Sequence, residues 1–330
     1  MSFRLFIYYC AMCGAGGGFV GWAVGRMFVA LLELLFRDGL PIIVSDGLKA
    51  MFVGMVVAAA LSLVDALWVF SLRQFFSIGL RVGTAVFIGT LGGLFGGLVG
   101  AVLYDLVRTG ADSPRLQALL RLLGWLTFLF AWTITGTLIG ASVGTFDVVS
   151  NTLRGRDVRS AVGKTVKGVV GGAIGGAIGG VLSLVLGSVW GTLFAHKPPD
   201  RLWSPSATGF IVLGLCIGLL IGLAQIILKE AWVRVEQGFR RGREMLLQKG
   251  EITIGRAEGC DIGLFGDPLV DKLHARILRQ GNQYVVVDAG SMAGTFVNDQ
   301  RVVGPTPLRD GDAIRVGKCV LRFGERAKRR

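Results

Sequence analysis

Two acids belong to otherwise apolar stretches of this chain, Asp65 within one and Asp147 at the end of another. An ionisable group in an apolar run of spanning length is where ion or proton passage would be sought. Asp147 closes its run beside the basic residues Arg154, Arg156 and Arg159, and the corresponding position further on is the neutral Gln225. Anchoring at an interface is therefore the reading adopted, with an ion pathway as the alternative. Cys10 and Cys13 have the spacing of a redox pair or half a zinc site. They lie one helical turn apart in an apolar run with no second pair, so they are read as small packing residues. Cys260 and Cys319 fall in β-patterned runs and are expected to be buried and inert. His196, before Pro198-Pro199, reads as a loop histidine, and Arg26 with Glu33 as an interfacial turn. No P-loop, nucleophile elbow, metal cluster or kinase signature is found. The expectation is a non-enzyme that uses no cofactor and no metal.

The elements that carry these residues are apolar. Of the 330 residues 52% are hydrophobic, 51 are glycine, and the mean hydropathy is +0.62. Uncharged runs fall at about 5–25, 82–104, 122–146, 168–195 and 206–228, and a sixth, about 50–70, is interrupted by Asp65. A helix of about 20 residues crosses a hydrocarbon core of roughly 30 Å. The chain is thus expected to be a multi-pass integral membrane protein with six transmembrane helices and no cleavable signal peptide. A net charge of +13 would suggest nucleic acid in a soluble protein. Here the positive residues flank apolar runs and no base-reading motif accompanies them. Lipid contact is expected and nucleic acid is not.

The glycines are ordered. Gly14, Gly17, Gly18, Gly21 and Gly25 recur as Gly89, Gly92, Gly93, Gly96, Gly97 and Gly100, and again as Gly168, Gly171, Gly172, Gly175, Gly176 and Gly179, with Trp22 replacing one glycine of the first set. Between them, Gly54, Ala58, Ser62 and Asp65 match Gly136, Gly140, Gly144 and Asp147, then Gly214, Gly218, Gly222 and Gln225. This self-similarity divides a glycine-rich transmembrane domain, 1–240, into three two-helix repeats at about 1–75, 76–155 and 156–240. Spacings of three and four place the glycines on one helix face. Such a glycine zipper lets helices approach closely in lipid, and an even number of helices per repeat points to a pseudo-threefold bundle. Positive residues after the even runs, among them Arg73, Arg81, Arg159, Lys164, Lys167 and Arg234, put both termini in the cytoplasm of a bacterial cytoplasmic membrane.

The character of the chain changes after residue 240. Between Glu251 and Phe323, short β-patterned runs alternate with Gly, Asp, Asn and Pro, as in an all-β sandwich or barrel. The stretch 229–249 reads as a juxtamembrane helix or connector with Trp232 and Arg234 at the lipid surface, 241–326 as a cytoplasmic domain, and 327–330 as a basic tail.

Several signals in this stretch come in one order: Gly255-Arg256, then Asp271-Lys272-Leu273-His274-Ala275, then Asp288 with Ser291-Met292-Ala293-Gly294-Thr295, then Val297-Asn298, then Leu308 with Asp310-Gly311-Asp312. The stretch resembles the forkhead-associated (FHA) domain, a β-sandwich that binds phosphothreonine peptides. The resemblance assigns Arg256 and Lys272 to the phosphate and gives Gly255, His274, Gly294 and Thr295 structural roles. It also marks two departures. Asp271 replaces a serine whose hydroxyl would donate, and a carboxylate repels phosphate. At about 4 Å the repulsion is on the order of 4 kcal/mol in a surface-like dielectric. Ala293, after Met292, replaces an asparagine that would hold the peptide backbone, while Asn298 remains to touch a peptide or pin its loop. Asp271 is expected to pair with Arg256 or Lys272 and fill the site from within; the bland alternative is a solvated loop residue.

The function these features imply is signalling by a membrane-tethered scaffold or adaptor. Its module binds a protein partner at the cytoplasmic face with weak or no phosphothreonine dependence, and its other partner is the lipid bilayer. A channel or transporter regulated by the module, and a phosphothreonine-dependent adaptor, are the alternatives.

Overall fold

The computed structural model describes residues 3–35, 40–69, 75–109, 114–153, 155, 158–193, 205–228, 231–238, 241–247, 250–280 and 283–326. His196 and the tail 327–330 lie outside them. Six α-helices come first: α1 (Phe3–Leu35), α2 (Ile42–Val69), α3 (Phe75–Thr109), α4 (Pro114–Leu153), α5 (Arg159–Leu193) and α6 (Pro205–Ile227). Prolines open α4 and α6, where the missing N–H costs nothing. All six are long and apolar enough to cross a membrane by length and composition. The helices run beyond the apolar stretches. With no breaker between Arg26 and Leu35, α1 continues through the turn expected there, and the Arg26 guanidinium lies 5.6 Å from the centre of the Trp22 ring.

Consecutive helices are neighbours, and α6 returns to α1, closing a ring in which α2, α4 and α6 also meet one another. The contacts in that ring are made backbone to backbone. On α3, Gly89 and Gly93 face Gly54 and Ala50 of α2, while Gly92 and Gly96 face Leu138 and Thr135 of α4. On α5, Gly168 and Gly172 face Gly140 and Gly136 of α4, while Gly171 and Gly175 face Ile221 and Ile217 of α6. On α1, Gly14 and Gly18 face Gly214 and Phe210 of α6, while Gly17 and Gly21 face Val57 and Val53 of α2. Each odd helix thus turns one glycine row to the even helix before it and a second row to the even helix after it. A Cβ at Gly172 would stand 2.0 Å from the carbonyl oxygen of Gly136, and one at Gly14 2.2 Å from that of Gly214.

Inside the ring, the even helices supply a buried apolar core in layers. Val57, Ile139 and Ile217 occupy matching places on α2, α4 and α6, and so do Leu61, Val143 and Ile221 one turn on. Another turn brings Asp65, Asp147 and Gln225.

Eleven strands follow: β1 (Ala231–Gln237), β2 (Glu244–Leu246), β3 (Glu251–Gly255), β4 (Ile262–Gly263), β5 (Ala275–Gln280), β6 (Gln283–Asp288), β7 (Thr295–Val297), β8 (Gln300–Arg301), β9 (Thr306–Leu308), β10 (Ala313–Val316) and β11 (Cys319–Glu325). They form two sheets, β2-β1-β11-β10-β7-β8 and β4-β3-β5-β6-β9. One buried cluster fills the space between them, drawn entirely from residues between Ala231 and Phe323, with Ile254, Ile277, Val286, Ile314, Leu321 and Phe323 at its centre. The sandwich therefore has a core of its own.

The stretch expected to be a helix or connector is strand instead. In β1, Ala231, Val233 and Val235 are buried and Arg234 is exposed, the period of two that a half-buried strand requires. It pairs antiparallel along β11, from Ala231 opposite Glu325 to Gln237 opposite Val320. The β-domain consequently begins at Ala231, ahead of the boundary expected at 241, and only Leu228 to Glu230 separate it from α6.

Close helix contact sets the first test. Gly172→Leu should force α4 and α5 apart and destabilise the bundle by about 1–3 kcal/mol or more, lowering the thermal unfolding midpoint of the purified chain. Gly16→Ala, at a position with nothing within 4 Å of the added methyl group, should leave that midpoint unchanged or raise it slightly.

Candidate functional site

Three loops of the sandwich gather the residues singled out by sequence, except Asn298, which stands in the turn between β7 and β8. The loop after β3 and the loop before β5 run side by side, with Arg256 N donating to Asp271 O at 2.9 Å and Ala257 N to Lys272 O at 3.1 Å. Only glycine fits at 255, because a Cβ there would lie 2.3 Å from Lys272 O. This pairing puts Arg256 and Lys272 next to each other, both exposed.

His274 ties the third loop to the other two. It is fully buried; Asp271 N donates to its Nδ1 at 3.1 Å. The other ring nitrogen, Nε2, must then carry the proton, which it donates to Gly294 O at 3.2 Å. These two bonds join the loop before β5 to the 288–295 turn. The 288–295 turn is built on Asp288. One carboxylate oxygen accepts from Ser291 Oγ and Thr295 Oγ1, both at 2.6 Å, and the other from Gly290 N at 3.0 Å and Ser291 N at 2.9 Å. Gly294, with φ +77°, supplies the left-handed step that ends the turn.

Asp271 does not fill the site by pairing with its cations. Among the described residues no ion pair joins it to Arg256 or Lys272. Its Oδ2 instead accepts from Met292 N at 2.8 Å, which fixes the carboxylate at the mouth of the 291–294 turn. Met292 itself projects outward, 93% exposed. Ala293 offers no polar side-chain group. Asn298 pins its loop: Nδ2 donates to Asp312 Oδ1 at 2.8 Å, and Oδ1 accepts from Ala313 N at 2.9 Å. It does so from a left-handed backbone, φ 47°, which asparagine tolerates.

A further cation, overlooked in the sequence, lies beside these residues. Arg301 on β8 lays its guanidinium over Gly294, with Nε 3.0 Å from where a Cβ would stand. Its only sequence signal is its place two residues after the Asn298-Asp299 hairpin turn.

The recognition loops lie at the far end of the sandwich from α6. Ala231 and Glu325 mark the near end, and Gln237 and Val320 the far end. Thr295, which follows the 291–294 turn, pairs with Val316, next to the β10–β11 turn. At the near end, Arg326 Nη1 donates to Ile227 O at 2.9 Å, satisfying a carbonyl at the C-terminus of α6.

Cys260 lies in a turn outside the strands and is only half-buried, though burial still pushes its thiol up; Cys319, in β11, is buried as expected. In the helical region Cys10 is buried and Cys13 partly so; both are free thiols. Among the described residues no group of three or more His, Cys, Asp or Glu side chains is placed to hold a metal. Asp65 and Asp147 do not stand singly at an interface. Arg81 Nη1 donates to Asp65 Oδ2 at 2.7 Å and Nη2 to Asp147 Oδ1, while Lys164 Nζ reaches Asp65 Oδ2 at 2.5 Å and Asp147 Oδ2 at 3.3 Å. The sequence placed Arg81 and Lys164 among the loop charges, yet both are buried.

Residues 252–317 match the FHA domain family model. The chain is 33% identical over 124 residues to the glycogen accumulation regulator GarA of Mycolicibacterium smegmatis, an alignment covering 38% of this chain and 73% of that protein. It is 39% identical over 94 residues to an oxoglutarate dehydrogenase inhibitor of Corynebacterium jeikeium, spanning 28% of this chain and 64% of that protein. Among solved structures, the FhaA FHA domain complexed with the intracellular domain of Rv3910 matches with 30% identity and a TM-score of 0.26, covering 28% of this chain and 98% of that one. The chain belongs to the FHA-domain family through its C-terminal sandwich.

The Asp288 turn gives a pH-dependent test. Burial acts to raise this carboxyl, but the hydrogen bonds from Ser291, Thr295 and Gly290 outweigh it and hold the group below its ordinary value. Its contribution to stability is therefore present above the unfolded-state value of about 3.9 and is lost as pH falls through the lowered folded value. In urea unfolding of the 231–326 domain, Asp288→Asn should cost about 1–3 kcal/mol at neutral pH. The gap to the native domain should narrow as the buffer is taken below about pH 3.9.

Proposed function

We propose that this protein is a membrane-tethered adaptor. Its six helices cross the cytoplasmic membrane as three two-helix repeats, and its FHA domain binds a protein partner on the side where both chain termini lie. The work is binding and not catalysis. Six helices of spanning length and the same two-row glycine contact at α1, α3 and α5 support the tether. The placement of FHA recognition loops at the end of the sandwich remote from α6 supports the partner site, since that end is open to approach.

The observation that carries the mode of binding is the Asp271 carboxylate bonded to Met292 N. It occupies the phosphate side of the loop cluster with a fixed negative charge and uses up a backbone donor. With Ala293 unable to hold a peptide amide, recognition falls to the exposed Met292 and the surrounding cations Arg256, Lys272 and Arg301, and needs no phosphothreonine. Aromatic, Met and Arg side chains are the usual anchors of such interfaces. A second reading, phosphothreonine-dependent signalling, is favoured by one observation: Arg256 and Lys272 are both exposed and neither is neutralised by Asp271.

Titration of the 231–326 domain with matched threonine and phosphothreonine peptides separates the two. The native domain should show no preference for the phosphorylated form, and Asp271→Ser should gain at least tenfold in phosphopeptide affinity, about 1.4 kcal/mol. Micromolar, phosphate-dependent binding by the native domain would establish the second reading instead. Recovery of the full chain in the carbonate-washed membrane fraction checks the tether.

A further inference from the structure

The polar layer that ends the axial core is uneven. Asp65 on α2 and Asp147 on α4 are bridged by Arg81 from α3 and Lys164 from α5, four bonds that cross four helices. Arg81, Asp65 and Lys164 are almost wholly buried, with side chains 3%, 4% and 5% exposed. At the matching places in the remaining pair, α6 carries Gln225 and α1 carries Phe6 and Cys10, all buried. Gln225 Oε1 is buried with no hydrogen-bond partner among the described residues.

These two situations respond differently to movement. Separating any of α2, α3, α4 and α5 at this layer strands a charge away from water, which is far costlier than losing an apolar contact. Separating α1 from α2, or α6 from α5, at this layer breaks none of these four charge bonds.

We propose that the polar layer divides the bundle into a fixed block, α2 to α5, held by the charge bridge, and a movable pair, α1 and α6. The FHA domain belongs to the movable pair. Three residues separate it from α6, and Arg326, just past β11, bonds the helix's last carbonyl, so the domain and α6 move together. The device couples displacement of the FHA domain to the side of the ring that carries no charge bridge. It does not require the partner to be of any particular kind.

The test is amide hydrogen exchange on the full chain in nanodiscs, with no partner present, so that its outcome is independent of the peptide titration. The three helix pairs provide their own control, because Cys10, Ala85 and Lys164 lie at matching places, as do Asp65, Asp147 and Gln225. Exchange in the first turns of α1 and the last turns of α6 should be at least tenfold faster than in the matching turns of α2 to α5. Installing the missing bridge with the double substitution Cys10→Lys and Gln225→Asp should slow α1 and α6 towards the rate of the others. Equal protection of the three pairs in the native chain overturns the proposal. If the double variant does not fold, the native comparison alone decides.

Discussion

The helical region depends on how closely two backbones can approach. Small residues let helices meet along their backbones, so that association relies on contact itself. Here the contact is glycine against carbonyl, with the would-be Cβ of Gly93 2.2 Å from Ala50 O and that of Gly140 2.0 Å from Gly168 O. No other residue can replace glycine at such a distance. The constraint propagates outward, since helices this close leave room on the axis only for one side chain per layer from each even helix, and Val57, Ile139 and Ile217 fill it.

The FHA sandwich is organised on another basis. Its loops are fixed by single polar residues, each with several partners. His274 fastens two loops through its two nitrogens, Asp288 organises a turn with both oxygens, and Asn298 joins its turn to the Asp312 carboxylate and the Ala313 backbone. These residues maintain the shape of a recognition surface without depending on what it recognises. That separation explains how Asp271 and Ala293 can depart from the family's pattern while the framework around them stays intact.

Much of this was legible in the sequence, for identifiable reasons. The glycine rows were readable because close packing restricts the residue type at every third or fourth position. The sandwich loops were readable because Gly255, His274 and Asp288 each satisfy a geometry that few residues can. What escaped notice depended on contacts across the fold. Arg81 and Lys164 look like flanking charges until two helices bring Asp65 and Asp147 to them. The alternation of β1 was hidden by the basic residues around Trp232, and its partner strand lies some 90 positions further along the chain, as the Ala231 to Glu325 pairing records. The expected pairing of Asp271 with a cation failed because a backbone N–H lay in closer reach.

The placement of the recognition loops at the far end of β1 has a consequence for reach. A seven-residue strand rises about 3.3 Å per residue, so those loops lie roughly 20 Å beyond the end of α6. On the membrane-tethered reading, a partner segment emerging from the same bilayer must cross that gap before it can be read. An extended chain covers about 3.3–3.6 Å per residue, which sets a minimum of about six residues between the bilayer and the recognised stretch. That length applies to a domain standing upright on α6, and soluble partners meet no such limit.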